Sequence, residues 1–384
     1  MQRAIRACLM RGGSSKGVFL HSRDLPAPGP LRDGVILRLF GSPDSRQVDG
    51  LGGADVLTSK VAIISPPSVK GVDVDYTFGQ VSFVDTHVDY GGNCGNISAA
   101  VGPFAIDERL VPLDGQSKEQ VVRIHNTNTG AILRASVAIG SSGALAEGEV
   151  RIGGVPGTGA RIGLDFSATQ GSVTGQLLPS GHRSETLALG GEGAGDSVEA
   201  TLLDAGQPTV FLAASELGLE GTSSDIAAAL QHNAELMRRI ERIRGAGAVA
   251  MGIVGQWEEA ERLSPYTPFV VVVGPPPRAD AAYDLEATCV FMQRVHQAYP
   301  VTGSVATVAA ALLPGTVVHS VARQPTGPLR IGHPTGVMDV DGAIGDDGST
   351  PVLQRASIER TARRLMDGNA YVPWSVWPSV SASG

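Results

Sequence analysis

Short apolar runs broken by glycine fill most of the chain, and few stretches space their apolar residues at helical period. Residues 4–10 read as a strand running into Arg11-Gly12-Gly13-Ser14-Ser15-Lys16-Gly17, with a second apolar run at 18–20. Residues 31–40 have helical periodicity and stop at Gly41-Ser42-Pro43-Asp44, since proline cannot continue a helix. A glycine-rich loop at 48–55 comes before Lys60, which enters the apolar strand 61–64. Imperfect alternation over 73–84 (Val74, Tyr76, Phe78, then Val81 and Phe83) predicts a half-buried strand pair. It leads to Tyr90-Gly91-Gly92-Asn93-Cys94-Gly95-Asn96, which opens a small-residue helix to 106 with a bend or end at Pro103. A strand and polar turn follow at 121–130, then short strands to about 166. His125 and Asn126 there either reach the pocket or, as is more common for such residues, satisfy turn backbone.

Residues 170–196 are rich in Gly, Ser and Pro and place a domain boundary, giving 1–185 and 186–384. The second part predicts strands at 198–203 and 209–213 around the turn Asp204-Ala205-Gly206-Gln207-Pro208. One amphipathic helix over 226–242, a buried strand at 269–273 and a strand at 287–295 come next. Tyr299-Pro300-Val301-Thr302-Gly303-Ser304 then opens a second small-residue helix, and a strand-to-turn piece follows at 331–336. Residues 354–366 read as a late helix whose Arg355, Arg360, Arg363 and Arg364 form a solvated face. Both halves therefore end a strand series in a glycine turn and a short helix, a hint of internal duplication. Two such helix N-termini facing each other would make a carboxylate-binding cleft.

Composition narrows the classes. The 384 residues suit two domains, and 42% hydrophobic against 18% charged residues allows a sizeable core. A net charge of −8 without a Lys/Arg cluster argues against nucleic acid as a partner. Cys8, Cys94 and Cys289 are too few and too scattered for a disulfide framework or a zinc site, and suit a reducing cytosol. No stretch approaches the roughly 18 apolar residues of a membrane span, and residues 1–10 lack a signal peptide's apolar run. The expectation is a soluble cytoplasmic protein with no metal and no membrane partner.

Three places carry candidate chemistry. Cys94 stands where unpaired N–H groups and a helix dipole converge, which favours thiolate and suits an anion; the alternative is a buried small hydrophobe. Lys60 either snorkels to solvent or lies in a dry pocket as a base. The loop at 11–17 lacks the Walker spacing and is either a donor-rich hairpin loop or a flexible turn.

Taken together, Met10-Arg11-Gly12-Gly13-Ser14-Ser15-Lys16-Gly17, Gly41-Ser42-Pro43-Asp44, Asp49-Gly50-Leu51-Gly52-Gly53, Ser59-Lys60-Val61-Ala62, Cys94-Gly95-Asn96, Gly102-Pro103-Phe104-Ala105-Ile106 and Tyr299-Pro300-Val301-Thr302-Gly303 resemble the PrpF family. Its members isomerise unsaturated polycarboxylic acids, among them aconitate, methylitaconate and 4-oxalomesaconate. The resemblance implies an α+β fold of the diaminopimelate-epimerase kind: two similar domains, each a bent β-sheet around a central helix, with the site between them. It implies no cofactor, neither metal nor pyridoxal phosphate, and a small polycarboxylate as the binding partner. The family's catalytic lysine and cysteine match Lys60 and Cys94, and its donor loops match Ser14-Ser15 and Thr302-Gly303-Ser304. Epimerases of this fold carry a second cysteine across the cleft, where this chain has Pro300. Gln207 stands where the family more often has asparagine.

The resemblance thus implies a 1,3-allylic isomerase in which Lys60 and Cys94 move a proton. Donors would be the N–H groups of Gly95, Asn96, Thr302 and Gly303 with the hydroxyls of Ser14, Ser15 and Ser304. An amino-acid epimerase of the same fold and a non-catalytic carboxylate-binding protein stand as alternatives. The choice among the polycarboxylates and self-association into a homo-oligomer stay open.

Overall fold

A computed structural model describes residues 1–189, 196–346 and 350–378. Two helices that are buried along almost their whole length organise it, Gly95–Asp107 and Val301–Leu312. A helix that is apolar on all sides needs sheet around it, and each of these has it. The first is wrapped by strands in the order Ala362–Pro373, Gln2–Gly12, Ser15–His21, Lys60–Ser65, Val74–Val81, Glu119–Asn126, Ile132–Ala138, Ile162–Asp165 and Val352–Arg360. The second is wrapped by Ser197–Ala205, Gln207–Ala213, Phe269–Gly274, Leu285–Phe291, Leu329–His333 and Gly336–Gly345. Small residues permit the close wrap. A Cβ on Gly102 would stand 2.8 Å from the Val137 side chain.

The strand Gly336–Gly345 belongs to both sheets. Its first half pairs with Leu329–His333 and its far end with Val352–Arg360. The last two strands thus return to the first lobe, so strand pairing crosses the expected 185/186 boundary. Among the described residues no helix is long and apolar enough to cross a membrane.

Three local expectations need correction. Residues 354–366 are not a helix; they lie in the strands Val352–Arg360 and Ala362–Pro373. A bulge, at the register shift between Ala343 and Ile344, puts the buried Leu353 and Ala356 three residues apart, the spacing of a helix face. Their arginines do not share a solvated face either: Arg360 is buried, while Arg355 and Arg363 are exposed. The helix expected over 226–242 is two, Ser223–His232 and Ala234–Ala250, divided at Asn233. The Asn233 carboxamide oxygen accepts from the N–H of Glu235 and of Leu236, so it caps a new helix. Finally, Pro103 does not end its helix, which runs on to Asp107.

The first central helix is tied down at its C-terminal end by Glu108. Arg6 and Arg364 reach its carboxylate at 3.0 Å and His21 at 3.2 Å. Burial pushes the carboxyl pKa up, but the His21 and Arg364 hydrogen bonds and the Arg6 and Arg364 charges hold it below its ordinary 4.5. A depressed carboxylate stabilises fully above its unfolded pKa and loses that stabilisation as the pH falls through the folded value. Glu108→Gln is therefore expected to cost about 1–2 kcal/mol at pH 6, since it removes the buried carboxylate from Arg6 and Arg364, which are themselves partly exposed. Urea titrations should find that gap closing below pH 4.5.

Candidate active site

The two central helices meet end to end. A Cβ on Gly95 would fall 2.6 Å from Val301, so only glycine lets the N-termini approach this closely. Between them lies a nearly closed cavity with about 10 Å³ free, lined by Ser15, Lys60, Cys94, Gly95, Asn96, Thr302 and residues of the second lobe.

Lys60 is 2% exposed, so its ammonium does not snorkel to solvent. Its Nζ donates to Gln80 Oε1 at 2.9 Å and lies 5.3 Å from the centre of the Phe78 ring. Lys60 and Gln80 are cross-strand neighbours. The Gln80 amide is in turn fixed by donating to the carbonyls of Val56 and Ser59. A neutral acceptor thus orients the amine without a counter-charge.

Cys94 is the residue just before the first helix, in extended conformation and buried. Its carbonyl accepts from the Ser98 N–H and hydroxyl, and the Ser98 hydroxyl also reaches Asn93. From the second lobe the Tyr266 hydroxyl donates to the Asn93 carbonyl at 3.0 Å, binding the loop across the cleft. Asn96 lines the cavity and also holds the first donor loop, accepting from the Ser14 N–H at 3.3 Å. Gly13 leaves room for that contact, with φ +50° and the Asn96 oxygen 2.1 Å from where a Cβ would be. Ser15 Oγ is buried without a hydrogen-bond partner, a donor held ready at the cavity wall.

Three expected donors stand apart. Ser14 is engaged through its N–H and does not line the cavity. Ser304 turns its hydroxyl back to the Val301 carbonyl at 2.7 Å, and Gly303 lies behind Thr302, its carbonyl taken by Thr307. A serine in the first turn of a helix satisfies its own helix more cheaply than a ligand. Gln207 is buried beside the loop, donating to Thr267, with Oε1 unpartnered. His125 and Asn126 do serve local structure, on Asp75 and on Thr129.

His296 lines the same cavity, and sequence reasoning had not singled it out. It is 3% exposed, and its Nδ1 accepts from the Ala298 N–H at 3.1 Å. That bond puts the ring proton on Nε2, which has no protein acceptor among the described residues. Burial, then the positive charge of Lys60 and the neighbouring His333, push its pKa down to about 3. The only signal in the sequence was a histidine between a strand and the Pro300 turn. Tyr266, Phe269 and Phe291 close the far wall as an edge-to-face cluster with centroids 5.5–5.8 Å apart. Pro300 lines the cavity where the epimerases would carry a thiol, and Cys289 lies outside it in a strand, its pKa pushed far up by burial.

The sequence pattern described as "PrpF protein" matches residues 2–373. The chain belongs to the PrpF family. It is 43% identical to the 3-methylitaconate isomerase of Eubacterium barkeri, over 97% of this chain and 98% of that one. It is 39% identical to a (4E)-oxalomesaconate Delta-isomerase of Novosphingobium sp. (strain KA1), over 94% and 96%. A crystal structure of methylitaconate-delta-isomerase matches with TM-score 0.79 at 41% identity, over 100% of this PrpF chain and 99% of that one. A hydroxyproline epimerase from Agrobacterium vitis matches with TM-score 0.58 at 12% identity over 98% of each chain, which shows the epimerase-type α+β fold alone. As a PrpF protein the chain is an enzyme of the isomerase class.

Proposed function

We propose that this protein shifts a carbon–carbon double bond within an unsaturated di- or tricarboxylate of the methylitaconate, aconitate or 4-oxalomesaconate kind. The observation that carries this reading is one amine and one thiol, Lys60 and Cys94, on a single cavity between two helix N-termini, with no second thiol among its lining residues. Lys60 as the neutral amine takes a proton from one allylic carbon and becomes the ammonium, and the electron pair spreads into a carboxylate or keto oxygen. The Cys94 thiol returns a proton two carbons away, and the ammonium then reprotonates the Cys94 thiolate. The free N–H groups of Gly95, Asn96 and Thr302 at the two helix ends and the Ser15 hydroxyl meet the developing oxygen charge. The aromatic wall keeps water out, which strengthens each of those contacts.

His296 adds an uncharged donor. Its Nε2–H points to a substrate oxygen without placing a second cation beside Lys60. His296→Phe is expected to lower kcat by about 10²–10³, the loss typical of one preorganised donor. Because the ring stays neutral down to about pH 3, the native pH–rate profile should show no limb that disappears in His296→Gln.

Proton NMR in D₂O with cis-aconitate, trans-aconitate, methylitaconate and 4-oxalomesaconate in separate tubes tests the reading. Deuterium entering an allylic carbon together with a moved double bond supports it and identifies the substrate. Folded protein that exchanges none of the four refutes it.

A further inference from the structure

Arg360 ends the strand Val352–Arg360 with its guanidinium inside the protein, 5% exposed. One of its N–H groups goes to the carbonyl of the adjacent Glu359 at 2.8 Å, and another meets the thioether of Met338 at 2.9 Å. Sulfur is a weak acceptor, and no carboxylate among the described residues forms an ion pair with this cation. Three carboxylates also line the cavity beside it: Glu359 is paired with Arg161 and Asp341 with Arg355, while the exposed Asp339 forms no ion pair with Arg360. A buried charge left without a counter-ion is among the most costly arrangements in a protein.

The same guanidinium lines a cavity of about 420 Å³, between residues 150–153 and the strands Gly336–Gly345 and Val352–Arg360. That volume lies within the range of small-molecule sites, roughly 300–1,000 Å³. The cavity shares no lining residue with the one between the helix ends. Next to it His333 Nε2 is buried and unpartnered, packed on Gly153. Exposed Arg151 stands on the same wall. A planar guanidinium fork on the wall of an open cavity matches one chemical group best, a carboxylate held by two parallel bonds.

We propose that this cavity is a second binding site, for a small organic acid whose carboxylate pairs with Arg360. Its position gives it a route to the first site. Thr361, the next residue, accepts on its carbonyl from the Gly13 N–H and from Arg11, so the anchor's own turn holds the loop that presents Ser15. The acid is either the substrate class itself or a different carboxylate.

Isothermal titration calorimetry at constant ionic strength with acetate and with succinate tests this. The native chain and the Lys60→Met and Arg360→Met variants are compared. Arg360→Met replaces an unpaired buried cation by an apolar chain beside Met338, so it should fold and melt at or above the native temperature in buffer alone. The expected result is a carboxylate-binding event that survives Lys60→Met and weakens at least tenfold in Arg360→Met. Binding of acetate as well as succinate marks a general carboxylate site, and binding of succinate alone marks one for the substrate class. Carboxylate binding abolished by Lys60→Met, or unchanged in Arg360→Met, overturns the proposal. Should Arg360→Met fail to fold, Arg360→Lys keeps the charge but loses the fork, and unchanged affinity there overturns it equally. The calorimetric signal does not depend on turnover, so a failed isomerase reading leaves this test standing.

Discussion

Lys60→Met is expected to lower kcat by about 10²–10⁴, the usual weight of a positioned acid–base group, while leaving the melting temperature within a few degrees of the native value. The argument for intact folding is local. Among the described residues the amine makes one hydrogen bond, to Gln80, and stands over Phe78 with no carboxylate partner, so a methionine of similar length meets an apolar face and strands no opposite charge. The Gln80 oxygen loses its donor, a cost of about 1–3 kcal/mol that a water in the vacated space can reduce. Deuterium exchange at the allylic carbon separates the proton step from net turnover. If the lysine takes the first proton, exchange and isomerisation fall together. Near-native exchange in this variant would remove Lys60 from the mechanism and leave Cys94 as the sole titratable group proposed to carry the proton.

Much of the site was legible because glycine and polar residues were out of place in otherwise apolar sequence. Lys60 at the head of a strand and Cys94 at the head of a helix stood out as reactive side chains in glycine-rich or apolar surroundings, and the fold brings both to one cavity. Direction was harder to read than position. Ser14 and Ser15 are adjacent in a strand-like turn, so their side chains point to opposite sides, and only Ser15 reaches the cavity. Ser304 looked like a donor until its own helix claimed it. His296 was hidden because its role depends on which backbone N–H its ring accepts, a fact of three-dimensional placement. At the C-terminus, one bulge converted a strand's period into a helix's, and with it went the only clue that Arg360 faces inward.

Gly95→Ala is the smallest change expected to disable the enzyme while sparing both proposed proton carriers. The added methyl would stand 2.6 Å from the Cβ and Cγ1 of Val301 and 3.2 Å from Phe166, closer than nonbonded carbons tolerate. Helix ends are stiff, so relief comes from separating the two N-termini. Overpacking of this kind costs about 1–3 kcal/mol, measurable as a shift of the urea midpoint at unchanged slope. The catalytic loss should be larger than the stability loss. Cys94 is fixed to the first helix and Thr302 to the second, so a shift of about 1 Å between them disrupts donors aimed from both sides and costs about 10² in kcat/KM. The check is the double variant. Val301→Gly removes the two nearest atoms that the new methyl would meet, leaving only Phe166 at 3.2 Å, so Gly95→Ala/Val301→Gly should regain more activity than additivity of the two single losses would predict. Additive losses in the two variants would mean that the approach of the helix ends is not what Gly95 provides.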